Sequence, residues 1–307
     1  MSPIIFQRKA SVRGRKIFYR EAGDPSAPTI LLLHGLPGNS AEYCNLIIAL
    51  ADRFHLIAPD YIGFGESEAP APHAFDYTFE NLTALVADLI EEIGLKSYML
   101  YMHDCGGPVG FRLFVRDPLR VTGFIIQNAN AYAEGVSTVC SRALAPLWQR
   151  RTAKTERAAQ EFVSLIHPDA LAIEKPTAGR PNAGRYPAKL HEGPPGLIDL
   201  LEDYRTNVAL YPTWQAAFRE HAPPTLIIWG KRDPVFIPPG ARAYLEDLPD
   251  AKLVWLDAGH SVLRQNWPQV AAQIKAAFLF RVVAPLPAAV TARQCTTPRQ
   301  VLTGEST

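Results

Sequence analysis

An α/β domain with one mostly parallel central sheet flanked by helices, interrupted once by a helical block, is the fold class predicted. Three observations predict it. Short apolar runs alternate with stretches of helical periodicity through residues 1–130. The same rhythm resumes at residue 221 and runs to 283. Between them, residues 131–220 hold helical patterns and a Pro/Gly-rich stretch from Lys175 to Pro195, but no convincing buried strand. A core of 1–130 and 221–283 carrying an inserted helical cap of 131–220 is the expected organisation. Residues 284–307 are Pro-, Ala-, Thr- and Gln-rich without periodicity, which predicts a disordered tail.

Each element has its own signal. Ile4 to Arg8 and Lys16 to Glu21 form a leading strand pair. Thr29 to Leu33 ends at His34-Gly35, and Phe54 to Pro59 ends at Asp60. Continuous apolar runs of this length suit parallel strands buried on both faces. Ser40 to Asp52 fits a helix capped by Asn39 or Ser40. Phe79 to Ile93 carries Leu82, Leu85, Val86, Leu89 and Ile93 at helical spacing and stops at Gly94. A strand ending at Asp104 follows, then a helix through Phe111, Phe114 and Val115, then the strand Val121 to Gln127. In the cap, helices are expected at Ala143 to Gln149, Thr155 to Leu165 and Leu197 to Val208. The closing elements are a strand at Pro224 to Gly230, a helix near Ala241 to Leu248, the strand Lys252 to Leu256, and a helix from about Trp267 to Phe280.

Composition narrows the function classes. With 307 residues and 48% hydrophobic content the chain can bury a large core. A net charge of +1 favours neither nucleic acid nor an anionic membrane as partner. Cys44, Cys105, Cys140 and Cys295 have neither metal-ligand spacing nor the density of a disulfide scaffold. The N-terminal residues lack the apolar core of a signal peptide, and no run approaches about 18 apolar residues. A cytoplasmic protein is expected, needing no metal or organic cofactor and acting on a small apolar substrate. Homodimer formation is left open.

Four pieces carry chemistry, each where a strand of such a sheet would end. Asp104, in His103-Asp104-Cys105-Gly106-Gly107, sits at a strand–turn–helix junction, the layout of a nucleophile elbow. A carboxylate there attacks carbon by displacement and leaves an alkyl ester, whereas a serine would attack an acyl group. His260 follows the last strand and could take a proton from water. Asp233 follows the preceding strand and could orient the His260 ring. His34-Gly35-Leu36-Pro37 forms a turn whose Leu36 amide, with that of Cys105, could hold an oxyanion. Taken singly, each has an ordinary structural use: Asp233 as a turn residue before Pro234, His260 as a surface histidine, Asp104 as a helix cap, His34-Gly35 as a tight turn. Reading the elbow one residue later would make Cys105 the nucleophile of a thiol hydrolase. The order nucleophile, acid, histidine favours the combined reading with Asp104.

With these motifs on the page, the chain resembles the α/β-hydrolase superfamily, in the branch of epoxide hydrolases and haloalkane dehalogenases, from Ile5 to Phe280. His34-Gly35-Leu36-Pro37 is similar to its HGxP turn, Asp60 to Ser67 to its D-x-x-G-x-G-x-S loop, and His103 to Gly106 to its H-D-x-G elbow. The resemblance implies two steps: displacement by Asp104, then hydrolysis of the ester by water that His260 and Asp233 activate. His34, Pro37 and His103 would border the substrate. Haloalkane dehalogenases typically place a Trp after the nucleophile and an Asn in the turn; here those places hold Cys105 and Leu36. Epoxide hydrolases use two cap tyrosines as acid, and Tyr204 in Tyr204-Arg205-Thr206-Asn207 resembles the second. The place of the first holds Leu147-Trp148; Trp148 could donate an N–H but not give up a proton, so activation would rest on Tyr204 or on help from Tyr132, Tyr186 or Tyr211. Epoxide hydrolysis to a vicinal diol is therefore the expected activity. The alternatives are a haloalkane or haloacid dehalogenase with the same triad, and a non-catalytic ligand-binding member of the fold.

Overall fold

The computed structural model describes residues 3–167 and 194–279. Most of the Pro/Gly-rich stretch, Tyr186 and the tail from Ala284 lie outside these residues.

Eight strands form one sheet: β1 (Phe6–Val12), β2 (Arg15–Ala22), β3 (Thr29–Leu33), β4 (His55–Pro59), β5 (Tyr98–His103), β6 (Val121–Gln127), β7 (Thr225–Gly230) and β8 (Lys252–Leu256). Their spatial order is β1-β2-β4-β3-β5-β6-β7-β8. The first two strands pair as a hairpin and β2 meets β4 antiparallel; every pairing from β4 to β8 is parallel. The hairpin turns at Arg13-Gly14, both with positive φ, the backbone demanded by a tight two-residue turn. Strands β3, β4, β5 and β7 are buried along their whole length, as their unbroken apolar runs predict.

Alternate residues of these strands feed two cores. Leu31, Leu33, Leu100 and Met102 pack toward α2 (Phe79–Glu92) and α3 (Gly106–Arg116). Ile30, Leu32, Met99 and Tyr101 face α1 (Cys44–Leu50) and the last helix, α8 (Leu263–Phe278). Local chemistry fixes the helix ends. Thr78 caps α2 by accepting from the Asn81 amide, and Gly94, with φ +71°, terminates it.

Between β6 and β7 lie α4 (Thr138–Gln149), α5 (Ala153–Ile166) and α6 (Leu197–His221); α7 (Pro238–Asp247) follows β7. Three expectations need correction here. The third cap helix does not end at Val208 but continues through Pro212 to His221. Its buried residues Tyr204, Asn207, Tyr211, Trp214 and Phe218 keep helical spacing, and that packing outweighs the single backbone hydrogen bond Pro212 cannot make. Similarly, α8 starts at Leu263 rather than near Trp267, with Pro268 inside it. The expected helix from Ser40 begins as a 3-10 turn, Ser40–Tyr43, before α1.

Cap and core are joined by directed polar contacts. The buried Arg112 of α3 donates to Asn207 Oδ1 at 2.6 Å and to Thr206 Oγ1 at 3.2 Å. Asp203 accepts from the Phe79 amide at 2.8 Å, capping the start of α2 from α6. These bonds set α6 against the helix that leaves the elbow. Among the described residues, no helix is long and apolar enough to cross a membrane.

Candidate active site

Strand β5 delivers Asp104 into a turn with φ +50°, a left-handed conformation that L side chains adopt at a cost. The strain is held by close packing around it. A Cβ on Gly106 would lie 2.1 Å from the Leu33 carbonyl oxygen, and one on Gly35 would lie 2.7 Å from Asp104 Oδ2. Only glycine allows the elbow, the start of α3 and the turn after β3 to approach this closely. The Leu36 amide, in that turn, donates to Asp104 Oδ2 at 2.8 Å. Oδ1 is turned toward His260, whose Nε2 lies 3.5 Å away and meets no hydrogen-bond partner.

Behind His260 stands Asp233. Its Oδ2 accepts from His260 Nδ1 at 2.8 Å and from Asn128 Nδ2 at 2.6 Å. Its Oδ1 accepts from the amides of Val235 and Phe236 at 2.7 and 3.2 Å. Asp233 is therefore both a turn residue and the partner of the histidine ring, so the two readings of it combine. Asn128, the residue after β6, also has positive φ and accepts from the Gly230 amide at 3.1 Å. It links the ends of β6 and β7 and locks the carboxylate that locks the ring. No spacing or motif in the sequence pointed to it.

Charge follows this geometry. Burial works against the ionised form of Asp104, but the neighbouring His260 outweighs it and holds the carboxyl well below the usual carboxylate range. Burial likewise disfavours a charged His260 ring; the Asp233 carboxylate and Asp104 opposite outweigh it and raise the ring to about 10. The resting site is thus an imidazolium between two carboxylates. Cys105 is buried beside a carboxylate, and both effects push its thiol far up. That environment opposes the thiolate a cysteine nucleophile needs.

A cavity of about 40 Å³ opens in front of Asp104 and His260. Leu144, Phe162, Val163 and Ile166 of the cap, with Val235 and Phe236 of the core, make it apolar. Among the described residues, its polar groups besides Asp104 and His260 are Tyr204, His167 and the thiols of Cys105 and Cys140. No lysine or arginine lines it among the described residues. Tyr204 is buried, stacks on Trp148 with ring centres 6.1 Å apart, and its hydroxyl lies 3.3 Å from that of Tyr211. Burial, then Tyr211, lift its phenol well above the ordinary value, so it stays protonated.

Several expected substrate contacts lie elsewhere. Trp148 donates its indole N–H to the Leu201 carbonyl at 2.8 Å, so that donor is occupied within the cap. The Tyr132 hydroxyl donates to Asp247 Oδ2 at 2.7 Å, fastening the start of the cap to α7. Tyr211 stands behind Tyr204 and accepts from Asn130. His34 has both ring nitrogens engaged, Nδ1 with the Gly35 carbonyl and Nε2 with the Tyr61 amide, which ties the turn to the loop after β4. His103 supports the His260 backbone through Nε2 at 3.3 Å, with Glu42 3.7 Å from Nδ1. Pro37 is buried in the turn. None of these residues lines the cavity. His167, on the wall and 5.5 Å from His260 ring to ring, was missed. It ends α5 beside the Pro/Gly-rich stretch and belongs to no motif.

The family model for the alpha/beta hydrolase fold matches residues 28–266. The chain is 34% identical over 289 residues to an uncharacterised hydrolase of Saccharomyces cerevisiae, covering 86% of this chain and 94% of the relative. It is 29% identical over 280 residues to haloalkane dehalogenase 2 of Mycobacterium tuberculosis, covering 86% and 91%. Among solved structures, the haloalkane dehalogenase DbeA from Bradyrhizobium elkani superposes with a TM-score of 0.73 at 21% identity, covering 89% and 97%. That last likeness speaks to fold alone.

Proposed function

Since the chain belongs to the α/β-hydrolase family and is a hydrolase of it, we propose that it opens epoxides to vicinal diols through an ester on Asp104. The observation that carries this reading is that Tyr204, a protonated phenol, lines the same cavity as Asp104 and His260. A departing alkoxide needs a proton, and a phenol can polarise the ring oxygen and deliver one.

The steps follow from the geometry. With Oδ2 held by Leu36, Asp104 Oδ1 attacks a ring carbon. The carbon–oxygen bond breaks, its electron pair stays on oxygen, and Tyr204 supplies the proton. Esterification removes the charge of Asp104, which had helped to keep His260 protonated. The ring's pKa then falls, its proton passes to the Tyr204 phenolate, and the neutral imidazole can take a proton from water. The resulting hydroxide adds to the ester carbonyl, whose oxygen, Oδ2, takes negative charge facing the Leu36 amide. Collapse expels the diol oxygen, which takes the proton left on the carboxyl group, and restores the Asp104 carboxylate beside a protonated His260.

The relatives support a haloalkane dehalogenase equally well, so the choice rests on the leaving group. A halide needs N–H donors in a dry pocket, and the indole of Trp148 is bound to Leu201. A haloacid would need a further cation for its carboxylate, and no lysine or arginine lines the cavity among the described residues. A panel of styrene oxide, an aliphatic epoxide, a bromoalkane, fluoroacetate and a p-nitrophenyl ester separates the readings. Diol from an epoxide is the expected outcome. Halide release as the dominant activity would replace this reading with the dehalogenase, and no turnover of any member would favour a binding protein.

A further inference from the structure

Among the described residues, the cavity wall carries one tyrosine hydroxyl where ring opening by this fold is expected to use two, and Trp148, in the place of the first, has its N–H engaged. The polar cap groups on the wall besides Tyr204 are, among the described residues, His167 and the Cys140 thiol. The thiol is a weak donor, and burial lifts it to about 12. His167 reaches the cavity from the end of α5, a different helix from the one carrying Trp148. Its ring stands edge-on to His260 at 5.5 Å, with an interplanar angle of 70°.

We propose that His167 is the second group on the departing oxygen, donating a neutral imidazole N–H alongside the Tyr204 hydroxyl. This deepens the epoxide reading and rests on it. Charge on the oxygen is shared between two donors, while only Tyr204 gives up its proton; His167 keeps its own. A neutral donor suits the position. Burial first, then the His260 charge, lower His167 to about 4, against the opposing pull of Asp104 and Glu42; His103 adds to the lowering. At neutral pH the ring therefore adds no second cation beside the His260 imidazolium, and one nitrogen keeps its hydrogen for donation. A neutral imidazole polarising a substrate oxygen is an established catalytic device in other enzymes.

The test compares wild type, His167→Gln, His167→Phe and Tyr204→Phe in single-turnover experiments with two epoxides. One is 1,2-epoxypropane; the other is its trifluoromethyl analogue, whose alkoxide is less basic and needs less help. His167→Phe should slow ester formation about 10- to 100-fold with epoxypropane and much less with the analogue, leaving ester hydrolysis unchanged. Glutamine, which retains an N–H, should recover part of the loss. A packing role would slow both epoxides equally, or both steps equally, and either result overturns the proposal. If Tyr204→Phe shows the leaving-group dependence and His167→Phe does not, His167 is overturned while the epoxide reading stands. If wild type opens neither epoxide, both fall together.

Discussion

The sheet edge and the cap wall meet across one small cavity but are constrained in opposite ways. On the sheet side, backbone holds both carboxylates. Asp104 is held by the Leu36 amide and a left-handed turn, and Asp233 by two amides, Asn128 and His260. On the cap side, side chains hold side chains: Tyr204 meets Tyr211 and Trp148, and His167 meets His260 through ring contact alone. On the proposed function, the core prescribes the reaction and the cap selects what leaves. Substitutions on the two sides should fail in different steps.

The largest effect is expected on the sheet side. His260→Gln should leave ester formation measurable but reduce ester hydrolysis by about a thousandfold, so that intact protein gains the mass of one substrate. Loss of ester formation to the same degree would place the ring in both steps and blur the division.

On the cap side, Tyr204→Phe should slow ester formation by about a hundredfold and leave hydrolysis nearly unaffected, as rapid quench would show. Equal slowing of both steps would reduce Tyr204 to packing.

Acidity should act through the sheet side in the second step. Its base is the neutral His260 ring, and protonation removes it. As pH falls, a growing fraction of the esterified enzyme carries His260 charged and cannot hydrolyse. Asp104, held well below the carboxylate range, stays ionised for attack throughout. Between about pH 8 and pH 5 the steady-state share of esterified protein should rise several-fold, up to tenfold per pH unit below the ring's value in the ester. A share that falls toward acid would remove His260 as the base.

The smallest effect is predicted for Trp148→Phe. Its indole serves the Leu201 carbonyl, so the rate constants should change by less than about threefold while stability drops by about 1 kcal/mol in denaturant melts. A large loss confined to ester formation would return Trp148 to the substrate.

The same contrast explains what could be read from the residues. Asp104, Asp233 and His260 were legible because each follows a strand whose apolar run ends sharply, and the sheet then brings these distant positions together. Strands Thr29–Leu33, Val121–Gln127 and Lys252–Leu256 were read to the residue for the same reason. Asn128 escaped because its work is side-chain hydrogen bonding across strand ends, which leaves no spacing in the sequence. Trp148, Tyr132 and Tyr211 were offered to the substrate because an aromatic in a cap is ambiguous. Only the fold decides whether its polar tip meets a carbonyl, a carboxylate or the cavity. His167 was invisible for the converse reason, since it lies at a helix end with no partner in sequence.

The central claim, a covalent ester on Asp104, is tested most directly by a single turnover of styrene oxide in oxygen-18 water with enzyme in excess. Peptide mass spectrometry should find one heavy oxygen in the Asp104 carboxyl and none in the diol. A labelled diol beside an unlabelled Asp104 would mean that water attacks the epoxide directly, and the account given for this site would be wrong.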